Sequence, residues 1–217
     1  MSQTGRCRYT GAMDSKLDAA EVRVLGALLE KEIATPDYYP LSLNALVNAC
    51  NQKSNREPVV NYDEDTVETA LTGLRAIGMA VRITGDSRVP KHGQRFTEKY
   101  NLGRREAAIL CVLLLRGPQT TGELRGRTER LHEFDDLESV DGTISRLIEM
   151  GFVTTLPRQA GYKEPRHAHL LSGPVSTTEE VPAAAERGPT DRERIAALEM
   201  ALADLRREFD AFKVKFE

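Results

Sequence analysis

The chain has 217 residues, of which 40% are hydrophobic and 29% are charged, and its formal net charge is −3. This length corresponds to one or two domains. No apolar run approaches the roughly 18 residues of a membrane-spanning helix, and Met1 to Lys16 lack the apolar stretch of a secretory signal. The three cysteines show no CxxC spacing, and Cys111 lies among apolar neighbours. We therefore expect a reduced, cytoplasmic protein without a membrane partner.

The first predicted domain, residues 17–100, follows a disordered N-terminal tail over residues 1–16. Asp18 and Glu21 have the spacing of a capping box, and the apolar residues after them recur on one helical face. Ser42 is placed to cap a second helix. A third helix with 3.6-residue apolar spacing ends at Gly78, which suits a turn with positive φ. A basic segment with strand-like ends, residues 82–95, then closes the domain as a two-stranded wing.

A second predicted domain, residues 101–173, repeats the same order of elements in a shorter form. The offset between matching positions falls from 85 to 73 along the chain. Matching positions include Leu17 with Leu102, Ser42 with Thr120, and Gly78 with Gly151. Three helices followed by a basic ribbon, present twice, predict a mainly α fold with small β wings, namely tandem winged helix-turn-helix domains.

The remaining chain is predicted to form a linker and a coiled coil. Residues 174–190 are rich in Ser, Thr, Glu, Pro and Ala, which is typical of a flexible linker. Residues 191–217 carry an apolar seam with alternating gaps of three and four residues, formed by Ile195, Leu198, Leu202, Leu205, Phe209, Phe212 and Phe216. This heptad seam predicts a C-terminal coiled-coil helix and hence a homodimer. An amphipathic helix that packs back on the domains is the alternative.

Several ungapped motifs resemble the YceH-like family of bacterial proteins. They are the helix from Leu17 to Glu32, the segment Cys50-Asn51-Gln52-Lys53-Ser54-Asn55-Arg56, the first-wing motif Arg88-Val89-Pro90-Lys91 with Arg95-Phe96, and the second-wing motif Lys163-Glu164-Pro165-Arg166-His167 with His169-Leu170. The resemblance covers Leu17 to Gly173 and includes a heptad-like tail. It implies a tandem winged-helix architecture and no particular activity.

The charge distribution favours double-stranded DNA as a partner. Residues 1–173 are neutral in sum, and the net charge of −3 arises in residues 174–217. Within each neutral domain the bases gather in the wing, where arginines can engage phosphates or a minor groove. The candidate contacts are Arg82, Arg88, Lys91 and Arg95 in the first wing, Arg158, Lys163 and Arg166 in the second, Lys53 and Arg56 before the first recognition helix, and Arg125 and Arg127 in the second helix of copy two.

Acidic clusters at the starts of both recognition helices keep a protein partner open as the alternative. They comprise Asp63, Glu64, Asp65 and Glu68, and then Asp135, Asp136, Glu138 and Asp141. Carboxylates there would repel phosphates, although they also cap a helix N-terminus. In outline only, the chain is similar to the segregation and condensation protein B family, whose tandem winged helices clamp other proteins. Tyr38, Tyr39 and Tyr62 are candidate anchors, or else they cover the core of their own domain.

No motif indicates catalysis. The sequence has no P-loop, no GxGxxG after a strand, no GxSxG and no HExxH, so we expect neither enzyme activity nor a cofactor. His167 and His169 would share one face of a strand, but no third ligand nearby completes a metal site. We interpret both as ordinary polar residues of the second wing.

The predicted coiled coil can be tested by truncation. We expect a chain that ends at Pro189 to be a monomer and the full-length chain to be a dimer, because the truncation removes the whole apolar seam. A lone helix of this length is marginal in water, so the seam requires a partner surface. Analytical ultracentrifugation of the two chains measures the difference. An unchanged oligomeric state would mean that the seam packs on its own domains.

Overall fold

In the computed structural model, which describes residues 16–84, 89–158, 164–174 and 206–207, the chain is mainly helical with a few short antiparallel strands. The first half, residues 16–102, contains α1 (Ala19–Ala34), a 3-10 turn (Pro36–Tyr38), β1 (Leu41–Ser42), α2 (Leu43–Cys50), α3 (Glu64–Ala76), β2 (Ala80–Ile83), β3 (Lys91–Gln94) and α4 (Phe96–Lys99). The second half, residues 103–174, contains α5 (Arg104–Arg116), α6 (Thr121–Thr128), α7 (Leu137–Glu149), β4 (Val153–Thr155) and β5 (His167–His169).

Two groups of predicted features fall largely or wholly outside the described residues. The first is the N-terminal tail up to residue 15. The second is the C-terminal region, with the linker and all seven seam positions: Ile195, Leu198, Leu202, Leu205, Phe209, Phe212 and Phe216. From the predicted C-terminal helix the structure describes Arg206 and Arg207, which are helical and exposed. Within the described ranges, none of the helices has the length and apolar character needed to cross a membrane.

Side-chain caps fix where the helices begin. Asp18 and Glu21 form a reciprocal capping box at α1, and Ser42 accepts a hydrogen bond from the backbone N–H of Ala45 at α2. Thr120 caps α6 through a second capping box. These three predicted caps are confirmed. Each satisfies backbone donors that the first helical turn leaves unpaired, an effect typically worth about 1 kcal/mol.

The strands are paired in the same order in both halves. In the first half, β3 lies between β1 and β2, with Leu41 opposite His92 and Ala80 opposite Gln94. In the second half β4 pairs with β5, and Gln119 forms a single antiparallel bridge to His167 at the place that β1 takes in the first half. A short segment between the first and second helices therefore pairs with the last strand in each half.

Glycines at the ends of α3 and α7 turn the chain into these ribbons. Gly78 has φ 70° and Gly151 has φ 79°, a backbone conformation that L side chains rarely adopt. The prediction that both glycines provide a positive φ is confirmed. Met79 and Phe152 follow directly and are buried, so each ribbon starts against the core.

One core runs through both halves, with α5 at its centre. Every residue from Glu106 to Leu115 is buried, and this nearly all-round burial explains why the helix is apolar throughout Ala107 to Leu115. Helix α1 packs along α5 at Gly26, whose carbonyl lies 3.6 Å from the Cys111 sulfur. Cys111 is buried, as the sequence predicts.

The core between the halves also contains an aromatic cluster. The rings of Phe96, Tyr100 and Phe152 meet edge to face with centroid separations of 5.0–5.5 Å. Such pairs contribute about 0.5–1.5 kcal/mol beyond the area they bury. Because Phe96 and Tyr100 come from the first half and Phe152 from the second, the cluster joins the two halves.

Gly26 and Gly142 form a matched pair for testing the α1–α5 contact. A Cβ at Gly26 would lie 2.9 Å from a Leu115 methyl carbon and 3.1 Å from Leu114 Cβ, whereas a Cβ at Gly142 in α7 would meet no atom of the described residues within 4 Å. We expect Gly26→Ala to lower the free energy of unfolding by about 1–2 kcal/mol, because overpacking outweighs the gain in helix propensity. Gly142→Ala should raise it by about 0.5–1 kcal/mol.

Urea unfolding of the two variants measures both effects on one chain. Changes of the same sign and size would contradict the close packing of α1 on α5.

Candidate functional site

The ribbon β2–β3, which is the predicted first wing, presents its cations to solvent. Arg82, Lys91 and Arg95 are all exposed. In the strand register Arg82 is opposite His92 and Ile83 is opposite Lys91, so two cations lie on neighbouring strands. Arg95 lies 3.7 Å from the Glu98 carboxylate, a surface pair that contributes little and leaves the guanidinium accessible. Arg88 lies outside the described residues.

The ribbon β4–β5, the predicted second wing, has a similar but less exposed set. Arg158 is exposed just after β4, and Arg166 is half-buried just before β5. The Arg166 carbonyl accepts a hydrogen bond from the Leu156 N–H at 2.8 Å, which continues the ribbon beyond its strands. Lys163 lies outside the described residues.

The wing histidines are largely withdrawn from solvent. His167 contacts the hydroxyls of Thr121 and Thr155 at 3.3 and 3.2 Å, and burial lowers its pKa. Burial also lowers the pKa of His92, and it lowers the pKa of His169 to about 4. His167 is buried and His169 is half-buried, and burial favours the neutral form of both rings. Among the described residues no group of three or more potential ligands could hold a metal ion.

The exposed faces of α3 and α7 are acidic. Glu64 and Asp65 lie exposed in the first turn of α3, and Arg75 further along is paired with Glu68 at 3.0 Å. Asp63 and Asp136 accept hydrogen bonds from the backbone at the starts of α3 and α7, so part of the acidic clusters is accounted for by capping. The electrostatic field at both helix starts is unfavourable for phosphate.

Helix α7 adds apolar side chains to its acidic face. Leu137 is 48% and Ile148 is 40% exposed, close to the exposed carboxylates of Glu138 and Asp141. Arg146 does not offset these acids, because it pairs with Glu106 at 3.1 Å.

Arg56 occupies a structural position. Its guanidinium is fully enclosed and binds the Glu30 carboxylate with both terminal nitrogens, at 2.6 and 3.1 Å, while it also donates to the Ala49 carbonyl. Burial raises the pKa of Glu30, but the hydrogen bonds and charge of Arg56 outweigh this and leave the pKa below its usual value. A guanidinium placed in this way does not reach a phosphate, so we remove Arg56 from the candidate nucleic-acid contacts.

Arg125 and Arg127 differ in their surroundings. Arg125 is exposed and donates to the carbonyls of Phe134 and Asp135, so it holds the segment that leads into α7. Arg127 is half-buried and pairs with Glu123 at 3.2 Å. Of these two predicted contacts in copy two, only Arg125 is exposed to solvent.

A cleft of about 690 Å³ separates the end of α1 and the segment after α2 from α5 and α6. It brings together Lys53 and Arg127, two predicted contacts from different halves. Its basic lining consists of Lys31, Lys53, Arg116, Arg127 and Arg130, against the two carboxylates of Glu30 and Glu129. Arg116 is not among the contacts predicted from the sequence; its signal there is a cation that directly follows the apolar run from Ala107 to Leu115.

Arg116 is the most constrained of these cations. Its guanidinium donates to the Asn55 side chain at 2.6 Å, which connects the two halves across the cleft. Burial lowers its pKa, and so does the positive charge of Arg127 nearby. Two guanidinium groups that repel each other in a concave site favour an anion between them.

These features define the class: a mainly helical protein with small antiparallel sheets, joined halves and basic surfaces on its ribbons and in a cleft. The chain belongs to the family described as protein of unknown function DUF480, whose pattern matches residues 17–162. The match therefore extends from the start of the first half into the second ribbon.

Close relatives cover nearly the whole chain. A UPF0502 protein of Solibacter usitatus is 69% identical over 206 residues, which are 94% of this chain and 100% of the relative. A UPF0502 protein of Opitutus terrae is 56% identical over 180 residues, 81% of this chain and 78% of the relative. One from Pelobacter propionicus is 48% identical over 219 residues, 94% and 100% respectively.

The buried wing histidines make stability depend on pH. We expect the free energy of unfolding to fall as the pH decreases from about 6.5 to about 4. In this range His169 is protonated in the unfolded chain, whereas burial keeps it neutral in the folded chain. His169→Gln should flatten the curve in this window by up to about 1.4 kcal/mol per pH unit. Denaturant unfolding of both chains at several pH values measures this. Parallel curves between pH 4 and 6.5 would contradict it.

Proposed function

We propose that each half is a winged helix-turn-helix and that the chain is a non-enzymatic, dimeric, cytoplasmic protein that binds double-stranded DNA. The observation that carries the proposal is the strand order shared by the halves, in which a segment between the first two helices pairs with the last strand of a basic ribbon. This is the path of a winged helix, in which the ribbon is the wing and α3 or α7 is the recognition helix. The YceH-like resemblance agrees with it, and the heptad seam provides the dimer.

The proposed contact is made mainly by the wings and is directed at phosphates. Arg82, Lys91 and Arg95 are exposed on the first wing, while the recognition helices present carboxylates. Phosphate contacts position a protein without reading base sequence. The proposal therefore predicts weak sequence preference and strong dependence on salt.

A protein partner is the second candidate, and the exposed face of α7 favours it. Leu137 and Ile148 are exposed apolar side chains beside carboxylates, and Tyr38 in the first half is 79% exposed. Tyr39 is less available, because its hydroxyl accepts a hydrogen bond from the Gln94 N–H. Tyr62 is half-buried and packs against the core. This candidate predicts little affinity for DNA and a stoichiometric protein partner that no longer binds after Ile148→Lys.

Alanine substitution on the first wing tests the DNA proposal. We expect the triple change Arg82→Ala, Lys91→Ala and Arg95→Ala to weaken binding to all duplex sequences. It should also reduce the slope of log affinity against log salt by up to about 3, near one unit for each phosphate that is no longer neutralised. Fluorescence anisotropy with labelled duplexes at several salt concentrations measures both quantities.

Arg105→Ala is the matched control, because Arg105 is an exposed cation of α5 and belongs to neither wing. It should leave affinity and slope unchanged. Equal effects of the triple change and the control, or no effect of either, would contradict wing contact.

A further inference from the structure

The cleft between the halves has the dimensions of a small-molecule site. Its volume of about 690 Å³ falls within the roughly 300–1,000 Å³ of typical ligand pockets. Cys111, Val112 and Leu115 of the central helix α5 lie at the bottom of the cleft and are almost completely buried. The rest of the lining is mostly polar or charged, with Ala34 and Leu131 as its other apolar residues.

The rim carries an excess of positive charge. Five basic side chains face the cleft against two carboxylates. Glu30 is compensated by the buried Arg56 and by Lys31 at 3.5 Å, and Arg127 is paired with Glu123 at 3.2 Å, so the excess positive charge of the rim comes from Lys53, Arg116 and Arg130. Among the described residues no ion pair involves Lys53, Arg116 or Arg130. Cations with no carboxylate partner in a concave site raise the local concentration of anionic ligands.

The cations of the rim come from both halves, and a hydrogen bond orients the guanidinium of Arg116. Lys53 stands on the wall from the first half, and Arg116, Arg127 and Arg130 stand on the wall from the second. The hydrogen bond from Arg116 to Asn55 holds this guanidinium across the cleft at 2.6 Å. A ligand that carries several negative charges meets donors from two sides, which is the arrangement that favours polyphosphate groups.

We propose that this cleft binds a polyphosphate group, with the phosphates among Arg116, Arg127, Arg130 and Lys53. A nucleoside polyphosphate and an inorganic polyphosphate share this chemistry, and titration with one of each distinguishes the two sources. The concave shape and limited volume favour such a ligand over a DNA duplex. The site is separate from the wings, so this inference does not depend on the proposed DNA contact.

Calorimetric titration of the full-length chain with ATP, tripolyphosphate and adenosine tests the inference. We expect ATP and tripolyphosphate each to bind with one site per chain, and adenosine, which carries no phosphate, to bind at least tenfold more weakly. A difference between the affinities for ATP and tripolyphosphate identifies which source of the polyphosphate group the cleft prefers. The double change Lys53→Gln and Arg130→Gln should weaken ATP binding by a factor of ten or more, because it removes charge-assisted contacts from both walls.

The matched control is Arg82→Gln with Arg105→Gln, which removes two exposed cations outside the cleft. ATP affinity should be unchanged in this control, and all four sites are exposed, so melting temperatures should stay close to that of the unaltered chain.

Three outcomes would overturn the inference: neither ATP nor tripolyphosphate binding at millimolar concentration, equal losses in the two double variants, or adenosine that binds as tightly as ATP. The same holds if the cleft double variant loses DNA affinity while ATP binding is unchanged, because the cleft would then serve the duplex. Loss of DNA binding in the wing variants alone leaves the inference intact.

Discussion

The buried ion pair between Arg56 and Glu30 fixes the segment after α2 on α1, and the second half contacts this segment. The Arg56 guanidinium closes the end of α2 through the Ala49 carbonyl and ties it to α1 through Glu30. The next residue, Glu57, donates its backbone N–H to the Leu115 carbonyl on α5 at 2.8 Å. The segment after α2 is thus fixed to both central helices. Removing one partner of such a pair leaves an uncompensated buried charge and typically costs about 3–5 kcal/mol.

The same arrangement shapes both candidate surfaces. Because Arg56 neutralises Glu30 from within, the cleft keeps its basic character although a carboxylate lines it. Because α5 is buried almost all round, the charged side chains that reach solvent come mainly from other elements, among them α3, α7 and the two ribbons. The surface therefore has negative charge on the exposed faces of α3 and α7 and positive charge on the ribbons. A partner must match this distribution of charge.

Local features of the fold could be predicted from the sequence, and long-range ones could not. The caps at Asp18, Ser42 and Thr120 and the positive φ at Gly78 and Gly151 depend on a few adjacent residues, whose spacing is visible in the chain. The burial of Arg56 depends on Glu30, 26 residues away, and the Arg116–Asn55 contact spans 61 residues. From composition and periodicity alone, a charged residue is predicted to be exposed. Neither property indicates which distant residue pairs with it and buries it.

The contact between Gly26 and Cys111 gives the α1–α5 crossing the character of a dimer interface. The sequence repeat aligns the two helices at an offset of 85, so the two residues that touch are equivalent positions of the two copies. In an isologous dimer, a residue near the two-fold axis meets its own counterpart in the same way. Here both sides of the interface belong to one polypeptide, so its formation does not depend on protein concentration, and the two sides can carry different residues: glycine on one helix and a thiol on the other.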